Sequence, residues 1–150
     1  MIIEIGSYQF LITEIFIAPK NKDQNAEKSY IVLEVSDAPD DIPNKVYKLI
    51  EGGSIGRKQN NNIYFSEDLH MSNNHCKIVL VNTKFILEDL SSTNGSWIRL
   101  SKESVQSPMF PLHHKTIFKI GNSVMYMAKR LKKQKDCASI LEMNSGTQFK

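Results

Sequence analysis

Short apolar runs, each broken by Gly, Pro, Asn or Asp, set the pattern of this chain. Ile31-Val32-Leu33-Glu34-Val35, Lys45-Val46-Tyr47-Lys48-Leu49-Ile50 and Lys77-Ile78-Val79-Leu80-Val81 are rich in β-branched or aromatic residues. Phe85-Ile86-Leu87-Glu88, Trp97-Ile98-Arg99-Leu100, Thr116-Ile117-Phe118-Lys119-Ile120 and Val124-Met125-Tyr126-Met127 continue the series. Such side chains pack well on a pleated surface, so each run predicts a strand. Turn signals separate them at Pro39-Asp40-Asp41, Gly52-Gly53, Asn60-Asn61-Asn62, Val81-Asn82-Thr83-Lys84, Asn94-Gly95 and Gly121-Asn122. No helical period runs long enough here to compete. The fold class this predicts is all-β, an antiparallel β-sandwich of many short strands.

The ends differ from the middle. Residues 1–18 predict two further strands about Gly6-Ser7, a hairpin added to the sandwich. Residues 19–25 are polar and turn-rich, a linker or long loop, and residues 101–111 form another loop in which Pro108 and Pro111 break any strand. After Ala128 the chain turns basic, with Lys129, Arg130, Lys132, Lys133 and Lys135. A weak pattern suggests a short helix over 131–143, with Ile140 and Leu141 on its apolar side, before a frayed tail.

Composition narrows the class. With 150 residues, 41% hydrophobic and 23% charged, the chain suits one soluble globular domain with a sizeable core. A net charge of +3 is too small to argue for nucleic acid. Cys76 and Cys137 make neither a disulfide framework nor a metal-binding pair, and a reducing, intracellular compartment (nuclear or cytoplasmic) is expected. No signal peptide or membrane span is legible. Asn94-Gly95-Ser96 fits a glycosylation acceptor, but a glycan there would block the binding site described next.

Three polar clusters fall in loops between strands: Gly53-Ser54-Ile55-Gly56-Arg57, Ser72-Asn73-Asn74-His75, and Asp89-Leu90-Ser91-Ser92-Thr93-Asn94-Gly95. A sandwich presents binding surfaces in this way, on loops at one end. A guanidinium, a hydroxyl and side-chain amides drawn from separate loops suit a phosphorylated side chain together with its peptide backbone. Arg57 offers a permanently charged planar fork, Ser72 a hydroxyl donor, Asn73 an amide, and Asn94 both a donor and an acceptor.

Gly56-Arg57, Ser72-Asn73-Asn74-His75 and Thr93-Asn94-Gly95 together resemble the forkhead-associated (FHA) domain, a reader of phosphothreonine peptides. The order and the gaps agree: 15 residues from Arg57 to Ser72, and 19 from His75 to Asn94. The resemblance implies an FHA domain over 29–129, preceded by a strand extension and linker (1–28) and followed by a basic segment (130–150). It implies that Arg57, Ser72 and Asn73 meet the phosphate, that Thr93 helps shape a recess for the phosphothreonine methyl, and that Asn94 holds the ligand backbone. His75 becomes a brace for the loops, with Gly56 and Gly95 as structural support. His70 stands where the family often reads the residue three places after the phosphothreonine. Many members carry Arg after the serine, where this chain has Asn73. The implied function is a phosphothreonine-dependent signalling adaptor, with a phosphothreonine-containing protein or peptide as partner and no cofactor, metal, small-molecule substrate or membrane.

Other readings are weaker. Gly52 to Lys58 looks superficially like a nucleotide phosphate loop but fails its spacing and precedes a strand instead of a helix. His70, His75, Cys76, His113 and His114 form no zinc spacing, and no nucleophile-base-orienter set is recoverable, so no enzyme is expected. The rival is a scaffold of the same fold that assembles without phosphate. A third reading has residues 129–135 engaging nucleic acid.

Overall fold

The computed structural model describes residues 1–19, 27–36, 45–102, 104–121 and 123–128. The turn at Pro39-Asp40-Asp41 and the helix expected over 131–143 lie outside these residues. The chain divides into two compact units, residues 1–108 and 109–150.

Among the described residues, the first unit holds nine strands: β1 (Ile2–Ile5), β2 (Tyr8–Phe16), β3 (Tyr30–Ser36), β4 (Val46–Ile50), β5 (Gly52–Gly56), β6 (Ile63–Tyr64), β7 (Cys76–Val81), β8 (Lys84–Asp89) and β9 (Ser96–Arg99). They form a five-stranded sheet in the order β4-β3-β2-β1-β9 and a four-stranded sheet in the order β6-β5-β7-β8. Period-two alternation sends one face of each sheet inward. Ile3, Ile5, Phe10, Ile31, Leu33, Val35 and Leu49 meet Ile55, Ile63, Phe65, Met71, Cys76 and Ile78 in one buried cluster. This is the antiparallel sandwich that the pattern predicts, with one parallel exception, β5 with β6.

Two local readings need correction. Gly52-Gly53 is not the turn: Glu51 turns, at a φ of 59°, and the glycines open β5. A Cβ on Gly52 would meet the carbonyl oxygen of Ile78 on β7, so the sequence uses glycine there for close strand approach. The N-terminal hairpin is interior to its sheet: β2 pairs with β3, and β1 pairs with β9 through Ile2↔Arg99 and Ile5↔Ser96.

In the second unit, β10 (Ile117–Ile120) and β11 (Ser123–Tyr126) form a two-stranded antiparallel hairpin. Backbone bonds from Lys115 N to Met127 O and from Met127 N to Thr116 O, both 2.8 Å, extend its ladder.

Candidate functional site

Three loops converge at the ends of β5, β7, β8 and β9. The Arg57 N–H donates to Ser72 O at 3.0 Å, and the Lys58 N–H to Asn73 O at 3.2 Å, joining the first loop to the second. The third loop joins the second through the Thr93 N–H, which donates to Ser72 Oγ at 3.0 Å, and through Asn94 Nδ2, which donates to His70 O at 2.8 Å. Arg57, Ser72, Asn73, Thr93, Asn94 and His70, far apart in sequence, thus belong to one bonded set. Arg57 Nη2 lies 3.4 Å from Asn73 Oδ1, a weak tie that leaves most of the guanidinium's donors uncommitted. Among the described residues no carboxylate pairs with it. Ser72 Oγ accepts from the Thr93 N–H at 3.0 Å and donates to Thr93 Oγ1 at 3.4 Å, a long bond that its proton can exchange for one to a ligand.

His75 stands beneath the loops at 0% exposure. The Ser72 N–H, which can only donate, reaches His75 Nδ1 at 3.1 Å, so the ring proton sits on Nε2. From there it donates to Gly95 O at 3.1 Å. One imidazole therefore ties the Ser72 loop to the Asn94 turn. Gly95 turns at a φ of 75°, a conformation that favours glycine. Trp97 Nε1 donates to Asn94 O at 2.8 Å and fixes the turn from the far side.

Gly56 is set by the packing of the two loops against each other. It lies within β5, and a Cβ there would meet the Asn73 carbonyl oxygen and, at 2.8 Å, Asn61 Nδ2. Its role is room for the second loop to press against the first. Asn61 and Asn62 are likewise committed to bonds within the fold. Asn61 is buried and donates through Nδ2 to Lys58 O and Asn73 O, both at 2.8 Å. Asn62 Oδ1 accepts from the Ser54 N–H at 2.8 Å.

Two carboxylates to which motif reading gave no role set the loop shapes. Asp89 Oδ1 accepts from the Ser92 N–H at 2.8 Å, while Oδ2 accepts from Ser92 Oγ at 2.6 Å and Ser96 Oγ at 2.7 Å. Burial pushes its carboxyl up, but the bonds from Ser92 and Ser96, with a smaller contribution from His75, outweigh this and hold it below the usual carboxylate value. Asp68 is buried and accepts from Ser7 Oγ at 2.9 Å, the Ser7 N–H at 2.8 Å and the His70 N–H at 2.9 Å. The turn between β1 and β2 thereby holds the loop that leads to Ser72. The available signal was an Asp in a loop, which caps backbone donors in many folds and gives no partner at long range. Ser7, Tyr8, Glu67, Asp68, Leu69 and His70 line a recess of about 320 Å³ beside this loop.

Among the described residues no cluster of His, Cys, Asp or Glu could hold a metal ion, and no helix is long and apolar enough to cross a membrane. No curated protein matches the chain. The family model of the FHA domain matches residues 53–121, a span that takes in Arg57, Ser72 to His75 and Thr93 to Gly95. FHA domains are phosphopeptide-binding protein-interaction modules, not a catalytic family. The all-β, two-sheet sandwich is consistent with that fold, and the match assigns residues 53–121 to the FHA domain family.

Proposed function

We propose that this end of the sandwich binds phosphothreonine-containing segments of a partner protein, and that the chain acts as an intracellular, nuclear or cytoplasmic, signalling adaptor without catalysis. The observation that carries the reading is the joining of Arg57, Ser72 and Asn94 through Ser72, Thr93 and His70. A phosphate ester brings close to two negative charges and three acceptor oxygens. Arg57 takes two of those oxygens, and the Ser72 hydroxyl and the Asn73 amide donate to the group. Thr93 borders the recess for the threonine methyl. Asn94 spends its amide nitrogen on His70 O and keeps its Oδ1 for an N–H of the ligand backbone. His70 and the acidic Glu67 line the neighbouring recess, so a basic ligand residue is favoured there over an acidic one.

The test is capture from matched phosphothreonine, phosphoserine and unphosphorylated peptide libraries by wild type and by Arg57→Ala. Capture of phosphothreonine peptides by wild type alone supports the reading and exposes the flanking preference. Equal, negligible capture by both proteins overturns it and leaves the phosphate-independent scaffold.

A further inference from the structure

Asn94-Gly95 is the only asparagine-glycine pair in the chain. A glycine nitrogen is the least hindered of backbone nucleophiles, because no Cβ shields it. Its attack on Cγ of the preceding asparagine closes a succinimide ring. Three observations add to what the dipeptide alone offers. Asn94 is exposed, so water and hydroxide reach its amide. The Gly95 N–H donates to no acceptor among the described residues, so the fold does not hold its proton. Trp97 Nε1 donates to Asn94 O at 2.8 Å. That oxygen belongs to the same peptide unit as the Gly95 nitrogen, and resonance shares the charge of a deprotonated peptide nitrogen with it. A fixed donor on the oxygen stabilises the anion as the donors of an oxyanion hole do. The other exposed loop asparagines, Asn60, Asn73, Asn74 and Asn82, are each followed by a residue with a Cβ.

We propose that Asn94 is a site of self-modification, at which the Gly95 nitrogen and the Trp97 indole convert the side-chain amide to a carboxylate. Hydroxide takes the Gly95 proton, and the nitrogen attacks Asn94 Cγ. The new N–Cγ bond forms as the Cγ–Nδ2 bond breaks, and Nδ2 leaves as ammonia with a proton from water. Water then opens the ring at either carbonyl, giving aspartate or its isoaspartyl isomer. The balance is one water consumed and one ammonia released, with no oxidant or reductant.

The departing atom is the one that ties the third loop to the second, since Asn94 Nδ2 donates to His70 O at 2.8 Å. A carboxylate oxygen in its place sets two acceptors face to face, and that tie is lost. It also sets a negative charge beside the position proposed for the phosphate. Conversion therefore switches the site off, a consequence that rests on the phosphopeptide reading.

The conversion is read on the full chain without any peptide. Native wild type is held in mildly alkaline buffer, and proteolytic mapping with mass spectrometry gives the converted fraction of each asparagine. Asn94 should convert ahead of Asn60, Asn73, Asn74 and Asn82, and faster as pH rises. Trp97→Phe keeps a ring but removes the donor, and should slow Asn94 roughly tenfold, the worth of one hydrogen bond to a charged group. Circular dichroism checks the fold of this variant. Wild type in guanidinium chloride makes the same comparison without a substitution, because unfolding parts the indole from Asn94 O, and Asn94 should again convert more slowly. The proposal is overturned if Asn94 keeps its nitrogen as long as the other loop asparagines do. It is also overturned if Asn94 converts as fast in denaturant, or in folded Trp97→Phe, as in the native wild type. Anion exchange then separates converted from unconverted chain, and binding of a phosphothreonine peptide should fall at least about tenfold in the converted fraction. Equal binding by both fractions overturns the switch. Binding by neither marks the failure of the phosphopeptide reading instead, and the conversion stands on its mass change.

Discussion

Replacing Gly56 with alanine would drive a Cβ into the Asn73 carbonyl oxygen, which is backbone and cannot swing aside. The first and second loops must then separate, at a cost of about 1–3 kcal/mol. Gly56→Ala should lower the thermal midpoint and weaken phosphopeptide binding, although glycine offers no side chain to a ligand. Arg57→Ala should weaken binding without the loss of stability. Its only side-chain bond among the described residues is the 3.4 Å tie to Asn73, so the midpoint should hold. Binding measured by calorimetry should fall by about 2–5 kcal/mol, as when one side of a charge pair is truncated. His75→Ala leaves the Ser72 N–H and the Gly95 carbonyl without their partner at a fully buried position. A loss of about 2–4 kcal/mol of stability is expected in denaturant unfolding.

At the scale of elements, the loop between β8 and β9 depends on Asp89, whose two oxygens accept three bonds from Ser92 and Ser96. Its folded value is lowered, so its contribution is complete above the unfolded carboxyl value of about 3.9 and is lost as pH falls through the folded value. Chemical denaturation of wild type should therefore lose this contribution only in acid, below about pH 4. Asp89→Asn should remove that part of the acid dependence and cost about 1 kcal/mol at neutral pH, since the side chain is partly solvated. Most strands were legible because alternation records which face is buried, as Ile31, Leu33 and Val35 in β3 illustrate. β6 was not, since two residues carry no period, and Gly52-Gly53 misled because glycine marks close backbone approach as readily as a turn. Motif spacing brought Arg57, Ser72 and Asn94 forward as candidates. It was silent on Asp68 and Asn61, whose partners lie across the fold or on loop backbone.

Across the whole molecule, the loops are held from several sides: His75 from below, Trp97 behind the Asn94 turn, and the β1–β2 turn through Ser7 and Asp68. A ligand that bridges Arg57, Ser72 and Asn94 would bind the folded chain alone, because unfolding scatters residues spread over positions 57 to 94. Binding and folding are then linked, and phosphopeptide at 100 times its Kd should stabilise the fold by about 2.7 kcal/mol. Asp68→Ala separates two kinds of damage. It releases the Ser7 and His70 donors, so the ligand-free midpoint should fall, yet the donors proposed for the phosphate remain and a saturating phosphopeptide should still raise that lowered midpoint. Arg57→Ala should show the reverse, a ligand-free midpoint near wild type and no rise at the same peptide concentration. Thermal unfolding of the three proteins, with and without phosphothreonine peptide, reads both quantities in one experiment. An equal rise in Arg57→Ala and wild type would show that the peptide binds elsewhere on the sandwich.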